Sequence, residues 1–79
     1  SFDDSLAQEI THEMVEWIFS ESSETKAIDF ILPKLEKDDP FMQYLYKSGF
    51  IPDEGALIDQ ENEVCMTLDR SVHTMYQQT

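Results

Sequence analysis

Seven carboxylates (Asp3, Asp4, Glu9, Glu13, Glu16, Glu21, Glu24) stand in the first 24 residues with no lysine or arginine among them, and a second base-free stretch, residues 53–69, holds six more (Asp53, Glu54, Asp59, Glu61, Glu63, Asp69). Between the two, residues 26–48 are balanced, with Lys26, Lys34, Lys37 and Lys47 against Asp29, Glu36, Asp38 and Asp39. Like charges crowded in this way oppose compaction, and a chain of 79 residues has little core with which to overcome their repulsion. A chain of that length supports one core and buries roughly 60% of its unfolded surface, so a single domain over residues 1–79 is expected. Apolar residues make up 41% of the chain and aromatic residues 11%, more than a disordered acidic segment would hold. The surplus charge has two readings. It keeps a small protein in solution, or the two blocks converge on one negative face that steers a basic partner.

A net charge of −12 repels phosphate backbones and anionic lipid, both of which are normally met by basic patches. Direct binding of nucleic acid or membrane is therefore not expected. The lone cysteine, Cys65, has no mate for an internal disulfide, which suits a reducing compartment. No stretch approaches the ~20 apolar residues of a membrane span, and Ser1-Phe2-Asp3-Asp4 lacks the basic start and apolar run of a signal peptide. The expected location is cytoplasmic.

Along the chain, Leu6, Ile10, Met14, Trp17 and Ile18 recur at helical spacing behind Asp3-Asp4-Ser5, with Gln8 three residues after Ser5 as a capping-box partner. The spacing predicts a helix over about residues 6–19, with that stripe buried, the leading acids in its first turn, and Glu9, His12, Glu13 and Glu16 on the wet face. Ala27, Ile28, Ile31, Leu32 and Leu35 suggest a second amphipathic helix from Glu24, kinked or ended near Leu32 because Pro33 has no N–H to bond back to Asp29. Asp39-Pro40 marks a third helix start, an N-cap carboxylate before proline at the first helical position, with Phe41, Met42, Leu45 and Tyr46 as its stripe. Gly49 closes it in the left-handed cap position, and Phe50 is placed to pack back on Leu45.

After the turn Ile51-Pro52-Asp53-Glu54-Gly55, two readings compete. Cys65, Leu68, Val72, Met75 and Tyr76 share a helical face, which predicts a last helix over residues 63–77. Alternatively, Ala56-Leu57-Ile58 and Val64-Cys65-Met66-Thr67-Leu68 pair as a short hairpin near residues 56–68. The expected fold class is all-α, a small bundle of three to four short helices, with Ile10, Met14, Trp17, Ile28, Ile31, Leu35, Leu45, Phe50, Leu68 and Val72 in its core.

Few groupings point to chemistry. Glu9-Ile10-Thr11-His12 has the Glu-x-x-His spacing of a di-iron half-site, but it lies opposite the apolar stripe and reads as a solvated face. Ser71 and His73 are two apart, with no Gly-rich turn to hold a nucleophile. Cys65 sits among apolar residues in acidic surroundings, a setting that raises a thiol pKa and leaves it inert, so it reads as core. Glu13-x-x-Glu16 with Glu36-x-x-Asp39 resembles the Mg²⁺ site of the small all-α nucleotide pyrophosphohydrolases, whose clustered acids hold the ions that bridge a triphosphate. The resemblance covers four residues and implies an Mg²⁺-dependent enzyme. In that family the second pair lies inside a helix and a lysine-rich phosphate-binding motif follows, whereas here Asp39-Pro40 reads as a helix start and no such motif is present. No catalytic, metal or cofactor residue is assigned on these grounds.

The function expected is regulation by binding: an acidic helical face docks on a basic surface of a larger protein, with nucleic-acid-binding proteins among the candidates, and blocks or redirects it. Small inhibitors and nucleic-acid mimics share this kind of composition. The contact acids expected are Glu9, Glu13, Glu16, Asp59, Glu61 and Glu63, from the two densest base-free stretches. Phe19, Phe30 and Tyr44 fall off the helical stripes and are the candidate aromatic anchors. The alternatives are the Mg²⁺-dependent pyrophosphohydrolase and a self-associating assembly subunit, of which a homodimer is the simplest form.

Overall fold

The computed structural model describes residues 4–77, and the side chains of residues 5–76. It contains α1 (Asp4–Glu21), β1 (Ala27–Pro33), α2 (Pro40–Lys47), β2 (Ile51–Pro52), β3 (Glu63–Asp69) and α3 (Arg70–Gln77). The strands form one antiparallel sheet in the order β1-β3-β2, so the last strand in sequence is the middle one in space. This corrects the all-α bundle: helices and a sheet share the core. The carboxylates of Asp3 and Asp4, expected in the first helical turn, lie outside the described side chains. No helix among the described residues is long and apolar enough to cross a membrane.

Residues 27–33, expected as helix, form a strand because their apolar groups alternate as well as they recur. Ile28, Phe30 and Leu32 turn toward the core, while Ala27, Asp29, Ile31 and Pro33 face away. Strand β3 alternates in step, and the register Ile28↔Leu68, Phe30↔Met66 and Leu32↔Val64 sets the two inward series opposite one another. β-Branched and aromatic side chains pack well on such a pleated surface. Pro33 ends an edge strand, where its missing N–H does least harm. Ile31, expected in the core, is consequently on the outer face and 59% exposed. The expected hairpin contains a strand that is present, residues 64–68, but its partners are β1 and β2, and residues 56–58 form no strand. The last helix begins only at Arg70, directly after β3.

α2 forms as its local chemistry dictates. The Asp39 carboxylate accepts from the Phe41 backbone N–H at 2.9 Å, with Pro40 at the first helical position. At the other end the Phe50 N–H donates to the Leu45 carbonyl at 2.9 Å and the Gly49 N–H to Tyr46 at 3.1 Å, a paired arrangement that satisfies the last carbonyls. Gly49 has φ +102°, and a Cβ there would meet Val72 Cγ1 at 2.7 Å. Both the backbone sign and the close approach of α3 therefore require glycine. Leu45, Phe50, Met66 and Leu68 are the most deeply buried large side chains. Around them pack Val15, Phe19, Ile28 and Met42, with Leu35 and Val72 partly buried at the margin.

α1 exists where expected but is turned the other way. Its buried side is Ala7, Thr11, Val15 and Phe19, one residue every fourth position, with Ile18 partly buried beside them. Ile10, Met14 and Trp17, expected in the core, lie on the open side together with Leu6. The C-terminal end of α1 has no basic residue in its last turn. The chain's single arginine supplies the cation from the start of α3. Arg70 Nε donates to the Thr25 carbonyl (2.6 Å), Nη1 to that of Phe19 (3.0 Å) and Nη2 to that of Ser22. Its guanidinium also stands 4.7 Å from the Phe19 ring centroid. Carbonyls at a helix end form the negative pole of its dipole, and a planar five-donor group suits several of them at once.

Candidate functional site

The outward side of α1 is the most distinctive surface of the molecule. Leu6, Ile10, Met14 and Trp17 are 53, 56, 36 and 64% exposed. Their spacing of four, four and three residues places them in one row along the helix. At 100° per residue, Glu13 and Glu9 border that row on one side, and Glu21 stands one turn beyond Trp17; all three are exposed. The result is an apolar stripe edged by carboxylates, on a helix whose opposite side is already committed to the core. Single exposed apolar residues are ordinary, whereas a continuous row of large ones is a feature that interaction surfaces share.

The other expected contact acids have different surroundings. Glu16 Oε1 lies 3.5 Å from His73 Nε2, linking α1 to α3. The Asp59 carboxylate accepts from the Asn62 side-chain amide at 2.8 Å and from the Glu61 backbone N–H at 3.2 Å, while Glu63 Oε1 accepts from the Asp59 N–H at 3.2 Å. The Asn62 hydrogen bond, followed by that from Glu61, holds the Asp59 carboxyl below its ordinary value. Asp59 and Glu63 thus knit the turn that leads into β3. Glu61 is exposed in that turn.

The expected aromatic anchors face inward. Phe19 is 6% exposed and touches the His73 ring at 5.0 Å between centroids. Phe30 stacks on Phe50 at 5.4 Å, and Tyr44 packs against the core beside Phe41. Among the described aromatic side chains Trp17, expected in the core, is the most open to solvent, ahead of Tyr76 and Tyr46. The inward Phe19 and the outward Trp17 have one cause, the rotation of α1 about its axis, and nothing in the sequence of α1 alone reports that rotation.

His12 and His73, distant in sequence, line one cavity of about 160 Å³ between α1, α2 and α3, together with Glu16, Tyr44 and Tyr76. Glu13, Glu16, Glu36 and Asp39 do not assemble into a metal cage: the first pair is on α1 and the second lies in the connection between β1 and α2. The pyrophosphohydrolase resemblance thus lacks both its all-α scaffold and a helix for its second pair. Among the described residues, three potential metal ligands do converge elsewhere. Asp29, Asp53 and Cys65 have ligand atoms all within 4.8 Å of one another on the outer face of the sheet. Comparison with protein-family models, curated proteins and solved structures returned no match.

Proposed function

We propose that the protein is a non-catalytic regulator that docks the outward side of α1 on a basic amphipathic segment of a larger protein and so occludes it. The observation that supports this is the row Leu6, Ile10, Met14 and Trp17, left open to solvent and edged by Glu9, Glu13 and Glu21. Burying a large apolar side chain contributes roughly 1.5–3 kcal/mol, so the row offers a partner several kcal/mol before any charge is counted. The acids then select which partner benefits. A second copy would bring carboxylates against carboxylates in a chain of net charge −12, whereas lysines or arginines flanking an apolar helix face would be attracted and oriented. A helix laid along the row would present anchors at the same spacing.

Trp17, the only tryptophan, is a built-in reporter. Titration with a leucine- and lysine-patterned amphipathic peptide should shift its emission to the blue, with an apparent affinity that falls as salt rises. Ile10→Ser together with Trp17→Ser should abolish binding, followed by the peptide's own helicity. Glu13→Gln should slow association chiefly at low salt. No spectral shift at low salt, or sedimentation showing that the protein pairs with itself through this face, would overturn the reading.

A further inference from the structure

The sheet's outer face holds a cluster that the docking surface does not involve. Cys65 is the central residue, on the middle strand. The Asp53 N–H donates to the Cys65 carbonyl at 2.8 Å, which extends the β2 register by one residue and sets Asp53 beside Cys65. On the other side, Asp29 of β1 pairs with Thr67, two positions from Cys65, and reaches it diagonally. Diagonal neighbours on one sheet face are within reach of each other's side chains. Three consecutive chains of the sheet thus each place one ligand type at the same point.

Cys65 is buried, as expected of a core residue, at 3% exposed, and it stands in register with Ile31, on the sheet face that also carries Asp29. Its thiol makes no hydrogen bond among the described residues, and neither Asp29 nor Asp53 pairs with a lysine or arginine there. Burial, then the Asp29 and Asp53 charges, push the thiol up from its ordinary value. The neutral S–H carries no charge of its own, so what singles the site out is geometry: three donor atoms that meet at one point with no basic side chain among them.

We propose that Asp29, Asp53 and Cys65 form a binding site for Zn²⁺, with one thiolate and two carboxylate ligands and a fourth position left to water. Tetrahedral zinc with a sulfur bond near 2.3 Å and oxygen bonds near 2.0–2.2 Å needs donors about 3.3–3.7 Å apart. The three donor atoms lie within 4.8 Å of one another, so they must draw together on binding, and Asp29 is exposed. On binding, the Cys65 S–H proton passes to solvent as the metal–sulfur bond forms, while both carboxylates enter already ionised. The thiolate is the selective element, because Mg²⁺ and Ca²⁺ take oxygen ligands and would leave it unused. The ion would tie β1, β3 and the start of the 53–62 connection together, and the two-residue β2 has most to gain from it.

The test uses the full chain, reduced, with Co²⁺ as the first probe and Zn²⁺ as competitor. One Co²⁺ per chain is expected, with a near-ultraviolet thiolate-to-cobalt charge-transfer band that Zn²⁺ bleaches and a large excess of Mg²⁺ does not. Cys65→Ser should remove the band. Asp29→Asn and Asp53→Asn should each weaken binding about tenfold or more. These two carboxylates lie outside the core, so their variants keep the test decisive even where the cysteine variant does not fold, and circular dichroism checks each. Absence of the band, its survival at full affinity in both aspartate variants, or displacement of the metal by Mg²⁺ would overturn the site and leave only diffuse cation binding to an acidic surface. None of these outcomes bears on α1, so the docking reading stands or falls separately.

Discussion

The two sides of α1 are both apolar and have opposite fates. The inner side is built mostly from smaller residues, Ala7, Thr11 and Val15, and ends in Phe19; the outer side carries the bulkier Leu6, Ile10, Met14 and Trp17 and faces water. Hydrophobicity alone would bury the larger set. Small residues instead let the helix approach the core closely, and Phe19 fills the space between Arg70 and His73. Size complementarity therefore decided which side is buried, and the side with more transfer energy to give was left available.

The sharpest way to break that contrast is to truncate one aromatic residue on each side. Phe19→Ala should destabilise by about 3 kcal/mol or more, the usual range for a buried ring replaced by a cavity, read as a lower urea midpoint. Trp17→Ala should move the same midpoint by no more than about 0.5 kcal/mol, as surface substitutions do. A comparable loss at Trp17 would mean that the chain itself covers the outer row, and the docking surface would be gone.

A smaller effect isolates the contact that closes the inner side. Arg70→Ala removes three charged hydrogen bonds to the carbonyls of Phe19, Ser22 and Thr25, as well as the contact with the Phe19 ring. The group is partly exposed, so about 2 kcal/mol is expected. Arg70→Lys should restore less than half of it, because a single ammonium cannot reach all three carbonyls while lying flat on the ring. Full restoration by lysine would show that charge at the helix end suffices and that the fork geometry is incidental.

What could be read in the sequence follows the range of the interactions involved. Asp39-Pro40 and Gly49-Phe50 fix α2 because each signal acts within a few residues of itself, and both ends are where the sequence puts them. The strands are different. Ile31 on the outer face of β1 completes a helical period with Ile28 and Leu35, so one stretch fits two periodicities, and only pairing with a strand over thirty residues away chooses between them. β3 runs into α3 with no breaker between Asp69 and Arg70. The helical face formed by Cys65, Leu68 and Val72 is therefore real as a pattern and false as an element. The same holds for sites: Glu9 and Glu13 are legible as exposed acids of one helix, while the meeting of Asp29, Asp53 and Cys65 exists only through register.

The smallest expected effect concerns the second acidic block, where carboxylates serve the turn itself. Asp59 is held below the ordinary carboxylate range, first by the Asn62 amide and then by the Glu61 N–H. A carboxyl whose folded pKa is depressed stabilises the fold above its unfolded value, and that contribution fades as pH falls through the folded value. The Asp59 carboxyl resonance should therefore titrate below the ordinary aspartate value, and Asn62→Ala should move it back up. Because Asp59 is exposed, global stability should hardly change, yet the protection of the amides in residues 59–63, taken against their intrinsic exchange at each pH, should fall as the pH drops. If Asn62→Ala leaves the titration where it was, the hydrogen bond is not what holds Asp59. Its carboxylate would then be as available to a basic partner as Glu9 and Glu13, and the two acidic blocks would have to be weighed together as contact surfaces.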